Sequence, residues 1–343
     1  MKHNFKRYLS YLMITAVAFV FSGAANISAT TNYYTMKVNY IDVGESDSVL
    51  IQSDGKNMLI DAGDKDDKDT ILGYLKSKKV KTIDYLILTH PHEDHISAAD
   101  EVIDTYKIGK VIMPAISHTT QAYKNVLNAM KAKGLKITKP VVGTKYTIGK
   151  AYFTILAPNN YKYGDNLNNY SVAMKLVNGN NSFIFIGDSE TEAIDDILAN
   201  KININADVLM CGHHGSKTST TSGLLKAVSP TYAVISVGKN SYGHPSDATL
   251  QLLKNYKVKT YRTDENGTIT ATSTGTKITF DAKETVIKQV PKSTNSTIVY
   301  YTKTGKKYHL INCPYLSHSK IKTTVKEAKA KGLTPCSRCK PPK

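Results

Sequence analysis

The chain is 343 residues long, 41% hydrophobic and 21% charged, and carries a formal net charge of +17. Its length exceeds one typical domain and its apolar content is enough to bury a substantial core, which excludes global disorder. A single apolar stretch, near the N-terminus, gives this chain no multi-span membrane region.

That stretch runs from Tyr11 to Phe21, follows the basic residues Lys2, Lys6 and Arg7, and leads into small residues through Ala29. The pattern predicts a secretory signal peptide over residues 1–29, cut after Ala24, Ala25 or Ala29, and so a secreted, extracytoplasmic protein with no stable transmembrane span after cleavage. An uncleaved anchor is the alternative, but the run is short for a full span.

Residues 30–282 read as one α/β domain, expected to be a hydrolase for the reasons given below. Runs rich in β-branched and aromatic residues predict strands over 36–42, 48–53, 57–61, 83–88, 151–156, 171–177, 182–187, 206–211, 231–236, 258–262 and 268–280. Helical spacing predicts helices over 66–78, 95–105, 120–133, 189–199, 219–228 and 246–254. Sheets covered by helices follow from that alternation.

Chemistry concentrates where apolar runs end. His90-Pro91-His92-Glu93-Asp94-His95 follows Tyr85-Leu86-Ile87-Leu88, and its spacing lets His90 and His92 hold one cation while Asp94 and His95 hold a second. Ionisable groups packed this closely would otherwise repel one another or need desolvating. Asp188 ends a second apolar run and can bridge two cations; His213 and His214 end a third, between Gly212 and Gly215. Six of the ten histidines (90, 92, 95, 213, 214 and 244) fall in such glycine- or proline-bracketed loops, as scattered surface histidines would not. Two divalent metal ions, Zn or Mn, in one pocket imply hydrolysis.

From about Met36 to Phe280 the chain resembles the metallo-β-lactamase superfamily, and within it the hydrolase domain of the ComEC competence proteins that take up DNA. The resemblance rests on Asp42-Val43-Gly44-Glu45-Ser46-Asp47-Ser48, Leu59-Ile60-Asp61-Ala62-Gly63, the His90–His95 loop, Asn168-Asn169-Tyr170-Ser171, Gly187-Asp188, Gly212-His213-His214-Gly215-Ser216-Lys217 and Tyr242-Gly243-His244-Pro245-Ser246. It implies an αββα sandwich and a metal set of His90, His92, Asp94, His95, Asp188 and His214. Asp61 would orient a metal ligand, His213 and Lys217 would face the scissile phosphate with Ser216, and His244 would protonate the leaving oxygen. Two departures stand out. Asn168 and Asn169 occupy a stretch where the broader superfamily supplies a further His, and Gly44-Glu45-Ser46-Asp47 stands where the branch has Gly-Gln-Gly-Asp, one glycine fewer.

A Lys-, Thr- and Ser-rich linker is expected over 283–297, then a small zinc-binding basic module over 298–343. Its start, 299–309, reads as a hairpin turning at Gly305, and a helix is expected from Thr324, capped reciprocally by Glu327 and ended by Gly332. His309, Cys313, Cys336 and Cys339 suit one closed structural Zn site, which so small a module needs for want of a core. His318 could replace His309, and export would favour a disulfide, but three cysteines leave one unpaired. Cys211, in an apolar run, reads as a core thiol. The tail resembles small zinc modules found on secreted nucleases.

Residues 291–343 hold twelve Lys and Arg against Glu327 alone, a net +11. So basic an exported module suits DNA or a cell-wall phosphate polymer, although a plain solvated surface would look the same. Tyr161, Tyr163 and Tyr170 could stack on bases, or be ordinary surface aromatics. The expectation is a secreted metal-dependent phosphodiesterase, a DNase. An esterase of teichoic acid or phosphorylcholine and a non-catalytic DNA-binding receptor are the alternatives; oligomeric state is left open.

Overall fold

A computed structural model describes residues 35–287 and 298–342. The expected signal peptide and residues 288–297 of the expected linker lie outside the described residues. In chain order the first strands are β1 (Met36–Tyr40), β2 (Val49–Ser53), β3 (Lys56–Ile60), β4 (Thr82–Ile87), β5 (Lys107–Ile112) and β6 (Ile137–Thr138). The next are β7 (Lys145–Ile148), β8 (Ala151–Ala157), β9 (Ala173–Asn178), β10 (Asn181–Phe185), β11 (Val208–Met210), β12 (Tyr232–Ile235) and β13 (Lys259–Arg262), followed by β14 (Ile269–Ser273) and β15 (Ile278–Phe280). They form two sheets, β15-β14-β1-β2-β3-β4-β5-β6 and β13-β12-β11-β10-β9-β8-β7.

Alternation along each strand sends its residues to two different cores. Val49 and Ile51 of β2 and Phe183 and Phe185 of β10 join the core between the sheets. Leu50 instead packs outward against α1 (Lys68–Ser77), α3 (Ala99–Thr105) and α4 (Gln121–Ala132), together with Ile71, Val102 and Val126. Ile184 packs outward against α5 (Thr191–Ala199), α6 (Ser222–Val228) and α7 (Asp247–Asn255) through Ile194, Leu224 and Leu253. Helices therefore cover both outer faces, giving the αββα sandwich. Strands buried on both faces read as continuous apolar runs, which makes them legible in the sequence.

Within each sheet one half is parallel: β3, β4, β5 and β6 in the first, β10 through β13 in the second. Loops after parallel strands in an open α/β sheet are where ligands bind, and the expected metal ligands His90, His92, Asp94, His95, Asp188 and His214 all follow one of these strands.

The structure corrects several boundaries. The stretch 268–280 is a hairpin, β14 and β15 turning over Thr274–Lys277, and 95–105 is broken into α2 (Glu93–Ile96) and α3 at Ser97-Ala98. β5, β6 and β7 are additions to the expected strands. Beyond the core, β16 (Ile298–Tyr301), β17 (Lys307–His309), β18 (Ile321–Thr324) and β19 (Thr334–Pro335) form a third, four-stranded sheet. Its helix α8 (Val325–Ala330) carries the expected capping box between Thr324 and Glu327. No helix among the described residues is long and apolar enough to cross a membrane.

Candidate metal centre

Asp61 follows β3, Thr89 and His90 follow β4, Asp188 follows β10 and His213-His214 follow β11. Backbone hydrogen bonds tie these loops together: Asp61 N–H donates to Ile87 O at 2.8 Å, Ala62 N–H to His95 O at 2.7 Å, Asp47 N–H to Asp94 O at 3.2 Å and His213 N–H to Gly187 O at 3.3 Å. The last of these needs Gly212, because a Cβ there would lie 2.5 Å from the Gly187 carbonyl oxygen. His213 and His214 both adopt left-handed backbone, φ 50° and 51°, and Asp61 does so at 56°. For residues other than glycine this costs about 1–3 kcal/mol each and persists where the surroundings force it.

Asp61 is buried and fully engaged. Its Oδ1 accepts the Thr89 N–H at 2.7 Å, and its Oδ2 accepts the Thr89 hydroxyl at 2.7 Å and His95 Nδ1–H at 2.8 Å. That bond leaves His95 Nε2 as the free ring nitrogen, 3.4 Å from Asp188 Oδ2 and 3.5 Å from Asp94 Oδ2. His214 is fixed the same way: Nδ1 donates to the Ser236 carbonyl at 3.2 Å, and Nε2 lies 3.3 Å from Asp94 Oδ2. Asp94, His95, Asp188 and His214 thus each offer a ligand atom within 4.8 Å of the others. On the other side of Asp188, His90 Nε2 lies 3.9 Å from Asp188 Oδ2 and 2.9 Å from His92 Nδ1. His213 Nε2 also approaches this oxygen, at 3.8 Å. One carboxylate oxygen therefore faces three imidazoles, His90 and His95 from the loop after β4 and His213 from the loop after β11.

The donors fit divalent cations. Asp47 Oδ1, His95 Nε2, Asn168 Oδ1 and Asp188 Oδ1 are buried without a hydrogen-bond partner, an arrangement that a protein avoids unless another group satisfies those atoms. Imidazole and carboxylate together suit Zn or Mn.

Electrostatics divides the two halves. Burial works against charge on His95, but Asp188, Asp94 and Asp61 outweigh it and raise its pKa well above the ordinary value. Burial likewise lowers His214, yet Asp47, Asp94 and Asp188 carry it up to about 9. In return, burial pushes Asp94 and Asp188 up while the neighbouring imidazoles, His95 foremost, hold both well below the carboxylate range. His90 goes the other way: burial and the nearby His95 charge depress it well below the usual imidazole value.

His244 sits beside the centre, its Nδ1 3.2 Å from Glu45 Oε1 and its ring centroid 5.3 Å from that of His213. Lys217 is exposed on the loop after His214, and the Ser216 hydroxyl pairs with Thr218 at 2.9 Å. Three acids escape sequence reasoning as site residues. Asp47, which burial pushes up to about 6 against the pull of His214 and His95, faces His214 Nδ1 at 3.6 Å; Glu45 holds His244; Glu190 reaches His213 Nδ1 at 3.4 Å. Each is a single acid without local spacing, although Asp47 and Glu45 lie in a segment that carries the family resemblance. Ser46, which stands where the resembled branch has a glycine, has no positive φ; its side chain bonds Asp67 and its carbonyl accepts the Ser236 hydroxyl at 2.9 Å. Tyr163 and Tyr170 are buried, with hydroxyls bonded to Asp196 and the Gly164 carbonyl, and Tyr161 packs with them, so that cluster offers no open face for a base.

In the small module His309, Cys313, Cys336 and Cys339 also converge within 4.8 Å, and His318 is not in the cluster. All four cysteines of the chain are free. Burial raises the Cys336 thiol, but the Cys339 and Arg338 backbone N–H groups outweigh it and hold it below its ordinary value. Cys211 is a buried core thiol, pushed up to about 12 by burial.

Residues 41–239 match the family model of the metallo-beta-lactamase superfamily. The chain is 32% identical over 252 residues to ComE operon protein 3 of Bacillus subtilis (strain 168), covering 68% of this chain and 32% of that protein. It is 30% identical over 241 residues to Recombination protein 2 of Haemophilus influenzae, covering 68% of this chain and 28% of that one. It therefore spans about a third of the length of these curated relatives. Among solved structures, the metallo-beta-lactamase fold protein YhfI from Bacillus subtilis aligns with a TM-score of 0.46 at 16% identity, covering 68% of this chain and 98% of that one.

Proposed function

The chain belongs to the metallo-beta-lactamase superfamily and is a metal-dependent hydrolase, and from that premise we propose that it is a secreted phosphodiesterase that cleaves DNA. The observation that carries the reading is Asp188, whose single oxygen lies between the Asp94–His95–His214 group and the His90–His92 pair. Asp94, His95, Asp188 and His214 on one side and His90 and His92 on the other would hold divalent cations, which would supply a water of lowered pKa and neutralise charge on phosphoryl oxygens. Asp61 keeps His95 in the tautomer that points Nε2 inward. His213, a quarter exposed and with Glu190 at its Nδ1, would donate to a phosphate oxygen. His244 is held through Nδ1–H by Glu45; as the imidazolium, which burial and the neighbouring His213 disfavour by lowering its pKa, it would give the Nε2 proton to the departing oxygen. Lys217 adds positive charge at the rim.

DNA is favoured over other phosphodiesters by the name of the relative Recombination protein 2 and by the +11 tail. In that tail His309, Cys313, Cys336 and Cys339 would hold one structural Zn. The test is purified protein, stripped of metal and reloaded with Zn or Mn, assayed on single-stranded DNA, duplex DNA, RNA and teichoic acid. Metal-dependent cleavage of DNA that falls at least about a thousandfold in Asp94→Ala, a loss on the scale of removing a group essential to the chemistry, is expected. Cleavage of teichoic acid alone would replace the reading by a cell-wall esterase, and near-wild-type turnover in Asp94→Ala would refute the two-metal centre.

A further inference from the structure

Tyr242 is 78% exposed, more than any other aromatic side chain among the described residues. A lone exposed aromatic is ordinary on a mobile loop, but this loop is held. Asn240 Oδ1 accepts the backbone N–H groups of Tyr242, Gly243 and His244 at 3.0, 2.9 and 3.0 Å, and its Nδ2 donates to the carbonyls of Gly238 and His244 at 2.9 and 2.8 Å. One side chain thus fixes the turn that presents the ring.

The ring's position is also specific. It stacks on His244 with centroids 6.0 Å apart and planes 28° apart, and His244 in turn lies 6.3 Å from His214 at 32°. The three rings form a short column from a metal-ligand candidate out to solvent, with Tyr242 as its outer end. Exposed Lys239 sits in the same loop. Tyr163 and Tyr170 are buried in their own cluster, and the half-buried Tyr161 against them is covered by Lys139 at 4.3 Å.

We infer that Tyr242 is a stacking platform for the base next to the scissile phosphate, and that the site consequently takes single-stranded DNA. The inference rests on the phosphodiesterase reading and narrows it. A flat, hydrophobic ring anchored beside an anion-binding centre suits a nucleobase, whose π-face any aromatic can cover without regard to sequence. In a duplex both faces of each internal base are occupied by its neighbours, so away from the duplex ends only an unpaired nucleotide can offer one. Polyol phosphates of a cell wall have no such face and would gain nothing from the ring.

The experiment compares the full-length wild-type protein with Tyr242→Ala and Tyr242→Phe. The first arm is binding without divalent metal, using a single-stranded oligonucleotide that carries 2-aminopurine, whose fluorescence is quenched on stacking. The second is steady-state cleavage, by the metal-loaded protein, of that strand, of its duplex and of a strand of abasic sites. Tyr242→Ala should abolish the protein-induced quenching and raise KM for the normal strand by about tenfold to a hundredfold, with a clearly smaller rise for the abasic strand and little change in kcat. Tyr242→Phe should behave as wild type, since the ring and not the hydroxyl is used. Equal quenching and equal KM in wild type and Tyr242→Ala would overturn the inference, as would a Tyr242→Phe as impaired as Tyr242→Ala, or a wild-type KM for blunt duplex as low as for the single strand. If no DNA is cleaved by any protein, the phosphodiesterase reading fails, while the quenching arm still decides whether Tyr242 stacks.

Discussion

At His95 three carboxylates meet one imidazole, and this single residue sets the acid–base behaviour of the metal centre. Asp188, Asp94 and Asp61 hold its proton on well above the ordinary pKa, and Asp47 and Asp94 do the same for His214, up to about 9. A cation coordinated through Nε2 must displace those protons, whereas His90, already depressed by burial, has none to give at neutral pH. Metal uptake at pH 7 should therefore release about two protons per protein at the Asp94–His95–His214 side. The sign follows: both groups are protonated below their raised pKa values, so apparent affinity for Zn should climb with pH and level off only above about 9. Calorimetric titration in buffers of different ionisation enthalpy measures the release directly. A pH-independent affinity with no protons released would contradict this coupling. At this scale the sequence is most informative where ligands share a loop, as in His90–His95. It is least informative for Asp47, Glu45 and Glu190, which act only across the fold.

Strands buried on both faces carry their signal in the sequence, and β1, β2, β10 and β12 lie within two residues of the expected bounds. β5 does not, because Gly109 interrupts its apolar pattern; a Cβ there would sit 2.6 Å from the Asp84 carbonyl oxygen, so close strand packing removes the side chain that would have marked the strand. β6, at two residues, is too short to show a period. In the small sheet the situation reverses: the elements are legible from Gly305, Thr324, Glu327 and Gly332, but the apolar packing among the described residues is Val299, Tyr308, Val325, Ala328 and the flanking Leu333, with Leu316 and Tyr300 set around the cysteines themselves. That is too little to hold four strands without help. Cys336→Ser should then release about one Zn per protein and open residues 298–342 to protease, because a thiolate is removed where metal binding supplies folding energy. Native mass spectrometry and limited proteolysis read both effects. Retained Zn, or a protease-resistant module without it, would show that the module folds on its packing alone.

Across the whole molecule, chemistry and charge are placed apart in sequence. The hydrolytic groups lie between Asp47 and His244, while residues 291–343 carry +11 of the +17. A site whose approach depends on phosphate binding far along the chain should lose long substrates first when that binding goes. Deleting residues 291–343 is expected to raise KM for long DNA by about tenfold or more while a short phosphodiester is little affected, because counterion release from many phosphates supplies much of the affinity of a basic protein for DNA. Binding should fall linearly on a log–log plot against salt, and deletion should flatten the slope by about 0.9 for every duplex phosphate that the tail neutralises. The zinc-free Cys336→Ser protein separates charge from shape: if an unfolded tail of unchanged charge keeps the steep slope, the tail acts as a polycation, and if the slope flattens as on deletion, the folded module positions the basic side chains on the phosphates. Equal affinity and equal slopes for intact and truncated chains would assign the tail to another anionic surface, and recruitment of DNA would then rest on the core alone.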